Sequence, residues 1–182
     1  MSRRRRRLPL FRIALAGFLI YALWSAATRQ DLSGAATIHD GDTLTVAGER
    51  VRLYGLDAPE LDQTCLDRNR ATYACGRLAR RALERIATGG LRCETVERDR
   101  YDRAVAICFA GERDVGAALV SSGWARAYLR YSLRYAAAEA AAKDAGRGLW
   151  AGEFDDPWAY REDGFKDDLI ALAVRWVRER LF

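Results

Sequence analysis

The segment Ile38-His39-Asp40-Gly41-Asp42-Thr43, followed by Val51-Arg52-Leu53-Tyr54-Gly55-Leu56-Asp57-Ala58-Pro59-Glu60, constrains this chain more than any other stretch. Both pieces read as short strands joined by tight turns, and the charged residues fall at or beside the turns. From Asp40 to Glu60 they set four carboxylates and Arg52 close together in sequence. A second knot, Asp99-Arg100-Tyr101-Asp102-Arg103, falls at a later turn. Clustered carboxylates bind a hard cation through oxygen. Two separate arginines can clamp a phosphate and the charge that grows on it. The pattern points to metal-assisted phosphodiester chemistry before it points to any one fold.

Charge is placed unevenly. The 182 residues carry a formal charge of +5, but residues 1–29 hold seven arginines and no acid. The rest of the chain has 23 basic and 25 acidic groups, so a polyanion would meet local patches and not a global basic field. Arginine outnumbers lysine 28 to 2 along the whole chain, so that bias marks no particular surface. Arg77, Arg80, Arg81 and Arg85 read first as a solvated helix face and second as a nucleic-acid patch.

Residues 1–27 have the order of an export leader or membrane anchor: Arg3 to Arg7, then the apolar run Ile13 to Trp24, then Ser25-Ala26-Ala27. Arg12 shortens the apolar stretch, so residues 8–27 make a marginal span. The basic flank sets the remainder of the chain outside the cytoplasm, periplasmic or extracellular. The adjacent arginines after Ser2 are a weak twin-arginine signal. Four cysteines without a C-x-x-C pair agree with an oxidising compartment and argue against a zinc ribbon. Four buried thiols are the plainer alternative.

Residues 28–35 read as a polar linker, 36–152 as one globular domain and 153–182 as an extension. Strands are expected at Ala36–Asp40, Thr43–Val46, Arg50–Leu56, Leu91–Arg98 and Arg103–Phe109, with a further one at Trp124–Tyr128. The spacing predicts helices at Ala71–Ala87, at Val115–Ser122 with Asp114 as N-cap, and at Leu133–Ala145 capped by Ser132. Glu139 and Lys143 stand at i,i+4 in the last of these. Residues 153–165 read as loosely packed, and Lys166–Leu181 as a final helix. The fold class is α+β, mainly β: a five-stranded OB-fold barrel with about three packed helices. If Arg100 and Tyr101 are the two central residues of their hairpin turn, facing positions sum to 201 and Cys93 lies opposite Cys108. Cys65–Cys75 is then the second bridge.

Asp40-Gly41-Asp42-Thr43 is not an EF-hand loop, because Leu44 and Val46 break the alternating oxygen pattern. The order DGDT, VRLYGLDAPE, DRYDR, DVGAALVSSGWARAY and EAAAK…GLW resembles the staphylococcal nuclease-like (thermonuclease) family over about residues 36–152. That resemblance implies an OB-fold and calcium-dependent hydrolysis of DNA and RNA to 3′-phosphates. It implies Asp42, Asp57 and the Ala58 backbone oxygen as calcium ligands, with Asp40 in the outer shell. Glu60 then orients or deprotonates the attacking water, and Arg52 and Arg103 clamp the phosphate. Arg100, Tyr101 and either Tyr128 or Tyr131 lie beside the bound nucleotide. The chain departs from the family's best-known member by having Ala58 in place of Thr, by its four cysteines and by the segment after residue 152.

Two plainer possibilities stand beside these. Asp40 and Asp42 can serve only as turn residues, and His39 as an incidental strand residue. The domain can also be a non-catalytic OB module that binds single strands. The second has no use for a carboxylate cluster that repels phosphate. A monomer is expected.

Overall fold

The computed structural model describes Gly17 and residues 31–162. The leader expected over residues 1–27 and the helix expected at Lys166–Leu181 lie outside the described residues. Among those that are described, no helix is long and apolar enough to cross a membrane.

The path of the main sheet takes strands β1 (Asp31–Gly34), β2 (Ala36–Ile38), β3 (Thr43–Val46), β4 (Glu49–Leu53), β8 (Leu91–Arg98) and β9 (Ala104–Ala110), and the two-residue β10 (Arg113–Asp114) pairs with β9 off that path. The order along the path is β1-β8-β9-β4-β3-β2. Its two edges, β1 and β2, are consecutive in the chain and separated only by Ala35. One bent segment therefore pairs with β8 at one end and with β3 at the other, and the sheet curls on itself. Taking β1–β2 as one strand leaves five, with β4 and β9 parallel, a layout consistent with an OB-fold. Residues 31–34, read from sequence as linker, are thus part of the barrel. Polar Asp31 and Ser33 hide the strand signal, but Leu32 points into the core and pairs opposite Cys93.

Period-two alternation fills the interior. Leu44 and Val46, Val51 and Leu53, Leu91 and Cys93, and Ala104, Ala106 and Cys108 are all buried. Helix α1 (Cys75–Ile86) closes one end with Ala79, Ala82, Leu83 and Ile86. Helix α2 (Val115–Ser121) adds Val115, Leu119 and Val120, and its N-cap Asp114 accepts from the Ala117 N–H at 2.9 Å as expected. Helix α3 (Ala136–Asp144) packs on α2.

Several boundaries differ from expectation. The expected strand Arg50–Leu56 breaks at Tyr54-Gly55, and β5 (Leu56–Asp57) leaves the barrel to pair with β11 (Arg126–Ala127). Trp124–Tyr128 therefore contributes two residues to a separate small sheet. Residues 71–74 are not helical: β7 (Thr72–Tyr73) pairs with β6 (Cys65–Leu66), and α1 starts only at Cys75. Helix α3 starts at Ala136, because the Ser132 hydroxyl accepts locally from the Arg134 N–H. Glu139 faces Arg126 at 2.6 Å and does not pair with Lys143.

The β8–β9 hairpin reaches the expected register by a different route. Its turn holds three residues, Arg100 to Asp102, with Asp102 at φ 61° and the Asp99 N–H bonded to the Arg103 carbonyl. Facing positions near the turn therefore sum to 202, as in Arg98↔Ala104. A bulge at Val96 absorbs the extra residue, and Cys93 meets Cys108 after all. Both expected bridges form, Cys65–Cys75 and Cys93–Cys108.

Residues 153–162 pack closely, not loosely. Leu66 and Glu153 exchange backbone hydrogen bonds at 2.9 and 3.0 Å. The Gln63 side chain donates to the Asp155 carbonyl at 2.8 Å, and Trp158 stacks on Tyr128 at 6.2 Å between ring centres. A helical stretch occupies residues 157–162.

Candidate active site

The site is built where β3, β4 and β5 leave the barrel. Asp40 shapes the first turn: its Oδ1 accepts from the backbone N–H groups of Asp42 and Thr43 at 3.0 and 2.6 Å. Gly41 is required by close approach more than by its own dihedral. A Cβ there would stand 2.6 Å from the Ala58 Cβ and 3.0 Å from that of Ala79. The turn is thus pressed against both the Asp57 loop and helix α1. Its end is tied to β4 by the Leu53 N–H, which donates to the Asp42 carbonyl at 2.8 Å.

This packing brings Asp42, Arg52 and Asp57 together. Nη2 of Arg52 lies 3.0 Å from Asp42 Oδ2 and 2.5 Å from Asp57 Oδ1. Asp42 also accepts from the Thr43 hydroxyl at 2.9 Å and the Ala58 N–H at 3.3 Å. Asp57 is fully buried. Burial raises its pKa above the ordinary 3.8; the hydrogen bond from Arg161 works against that rise, and the Asp42 charge adds to it. Burial also raises Asp40, and the Asp42 charge does so further. For Arg52, burial favours the neutral form, but the charges of Asp42 and Asp57 outweigh it and raise the pKa.

Glu60 sits three residues beyond Asp57 on a loop whose placement is fixed from behind. Its N–H donates to the Gln63 Oε1 at 3.2 Å, and Gln63 is itself fully buried. Gly76, in the first turn of α1, abuts the same loop so closely that a Cβ would fall 1.7 Å from the Glu60 carbonyl oxygen. The Cys65–Cys75 bridge holds the return of the loop onto that helix.

Arg103 is not in contact with these groups. Its Nε donates to Asp99 Oδ2 at 2.7 Å, and its guanidinium lies 5.5 Å from the Tyr101 ring. It does share a side of the barrel with Arg52. In the parallel β4–β9 ladder Arg52 faces Val105, and Arg103 is one alternation earlier on the same face. Arg100 and Tyr101 are exposed at the hairpin tip. Tyr101 and Tyr131 are each 66% exposed, with Arg100 and Arg103 lying 4.8 and 5.5 Å from the Tyr101 ring, whereas Tyr128 is covered by Trp158 and Tyr131. His39 bonds Thr45 at 2.8 Å and takes no part in the cluster.

Arg161 and Gln63 complete the site and were not legible as members of it. Nη2 of Arg161 reaches Asp57 Oδ2 at 2.8 Å and Oδ1 at 3.1 Å, and Nη1 reaches Glu60 Oε1 at 2.7 Å. Burial disfavours its charge, but the hydrogen bonds to Asp57 and Glu60 prevail and raise its pKa. No local spacing connects position 161 to position 57. The one signal is a lone arginine in an acidic, aromatic segment.

The donor set suits a hard cation. Asp42 and Asp57 direct oxygens at a single cationic nitrogen, which is the convergence an ion would need. Among the described residues no three His, Cys, Asp or Glu side chains form a ready cluster, so water and phosphate oxygens would complete such a shell.

A curled β-barrel carrying paired aspartates, an arginine and a glutamate at one edge is the build of a nuclease-type domain. The chain belongs to the staphylococcal nuclease homologue family, whose model matches residues 50–152. The match begins after Asp40 and Asp42 and ends before Arg161. The chain is 44% identical over 101 residues to the succinoglycan biosynthesis protein ExoI of Rhizobium meliloti, covering 54% of this chain and 53% of that one. It is 32% identical over 141 residues to an uncharacterized endonuclease of Haemophilus influenzae, covering 73% and 74% respectively.

Proposed function

We propose that this protein is a calcium-dependent phosphodiesterase acting on DNA, RNA or both, in an exported compartment. The observation that carries the reading is the convergence of Arg52 on Asp42 and Asp57, with Glu60 on the same loop. Asp42, Asp57 and the Ala58 carbonyl would hold the ion, with Asp40 behind them. Bound there, calcium supplies positive charge that polarises the phosphate and acidifies a water. Glu60 accepts the proton of the attacking water. Arg52 binds a phosphate oxygen with its planar fork once it turns from Asp42 and Asp57, and Arg103 does the same once it leaves Asp99. Arg100 and the exposed Tyr101 and Tyr131 bind the neighbouring nucleotide by charge and stacking. Membership in a nuclease family and likeness to an endonuclease-named relative support the substrate class. The two disulfides and the basic, apolar leader support export.

The test is cleavage of plasmid and of RNA by the oxidised protein, in calcium and in chelator. Calcium should be required. Glu60→Gln, Arg52→Ala and Arg103→Ala should each lower turnover by about 10²-fold. Arg52→Ala should also lower stability, because it leaves buried Asp42 and Asp57 short of a partner. Arg103→Lys should be nearly as poor, since an ammonium lacks the fork. Binding of single strands without cleavage would instead identify an OB binding module served by the exposed tyrosines.

A further inference from the structure

Arg161 shares Asp57 with Arg52 and, unlike Arg52, also pairs with Glu60. Its two terminal nitrogens make three contacts, two to Asp57 and one to Glu60. It is presented by a firmly seated segment. Pro157 just before it is buried, Trp158 lies over Tyr128, and Arg126 both faces that indole at 5.3 Å and pairs with Asp156. Gln63 joins the two halves directly, bonding the Glu60 N–H on one side and the Asp155 carbonyl on the other. The arginine is therefore held at the mouth of the site by the protein's own tertiary structure, from a segment beyond the family match.

A guanidinium in that position uses oxygens of Asp57 and Glu60 that a divalent ion and a water would otherwise take. It also removes one unit of negative charge from the cluster, to which a divalent ion responds strongly. We infer that Arg161 is an internal counter-ion that competes with the divalent cation for Asp57 and restrains Glu60 until that cation seats. The C-terminal extension thereby sets the calcium affinity of the site. The inference rests on the proposed calcium reading of Asp42 and Asp57.

Calorimetric titration of the full chain with calcium, in the absence of nucleic acid, tests it against Arg161→Gln and Arg161→Lys. The glutamine variant should bind calcium about tenfold more tightly or better, the range typical of coupled sites. The lysine variant should fall between the two, because a point charge cannot span both carboxylates. Thermal unfolding supplies a second readout. Without calcium the glutamine variant should melt below the parent, and saturating calcium should raise its midpoint by more than it raises the parent's. Asp42→Asn should abolish the binding in every background, which locates the heat. Equal or weaker calcium affinity in Arg161→Gln overturns the inference while leaving the calcium site standing. No calcium binding by either parent or variant overturns both.

Discussion

Among single residues, the proposed calcium site requires Asp57 to stay ionised while wholly enclosed. Burial pushes its pKa above 3.8, and the contacts from Arg161 and Arg52 hold that rise in check. The sign of the resulting pH dependence follows. A carboxyl whose folded pKa exceeds its unfolded one binds its proton more tightly in the native state. Its contribution to stability is fully present below the unfolded value and is lost as pH rises through the folded one. Relative to Asp57→Asn, the calcium-free parent should therefore lose stability as pH rises from about 3.8 through the raised pKa of Asp57, then level off. Unfolding midpoints of the two proteins across the acid range check this. A difference that grows in favour of the parent over that interval would contradict the assignment. Asp40 is raised in the same direction, so Asp40→Asn is the control that separates the two.

At the scale of elements, helix α1 acts as the back wall of the site. Gly41 and Gly76 are both places where backbone or a small side chain from another element comes too near for a Cβ. The consequence is sharpest at Gly76, whose neighbour is the Glu60 carbonyl, a backbone atom that cannot rotate away. Gly76→Ala must displace the Glu60 loop. It should cost about 1–3 kcal/mol, the usual range for overpacking, and lower turnover without changing any charged group. Denaturant unfolding and steady-state kinetics read the two effects separately. A variant with parental stability and parental turnover would show that the contact is not a constraint. The Val96 bulge and the three-residue turn illustrate the same level of control. Each shifts the ladder by one, and only their combination sets Cys93 against Cys108.

At the scale of the whole molecule, residues 153–162 belong to the folded unit. Leu66, Gln63, Arg126 and Tyr128 all lose a partner if this segment is removed. A chain ending at residue 152, where the family match stops, should melt several degrees below the full chain, given that about 1 kcal/mol moves the midpoint of a domain this size by a few degrees. It should also become sensitive to proteolysis around Gln63, whose buried amide would lose its acceptor. Equal midpoints for the long and short chains would show that the extension is an appendage.

Cys93 meets Cys108 only because an extra turn residue and a bulge offset each other, neither of which is visible in residue spacing. Residue order along the chain is enough for most of the short strands, the carboxylate and arginine motifs and the Asp114 cap. These are local properties: side-chain alternation, turn chemistry and spacing act over a few residues and can be read in order along the chain. Strand β1 was not legible, because an edge segment with one buried leucine lacks the alternation that marks a strand. The break at Tyr54-Gly55 was hidden for the opposite reason, since Val51, Leu53 and Leu56 carry an apolar strand pattern up to and past it. Packing alone sets Arg52 between Asp42 and Asp57 and Arg161 against Asp57 and Glu60, whereas Arg103 reaches Asp99 within its own hairpin turn. Contacts between residues 5 to 104 positions apart depend on which elements pack together, and a guanidinium goes to whichever carboxylate the packing brings within reach.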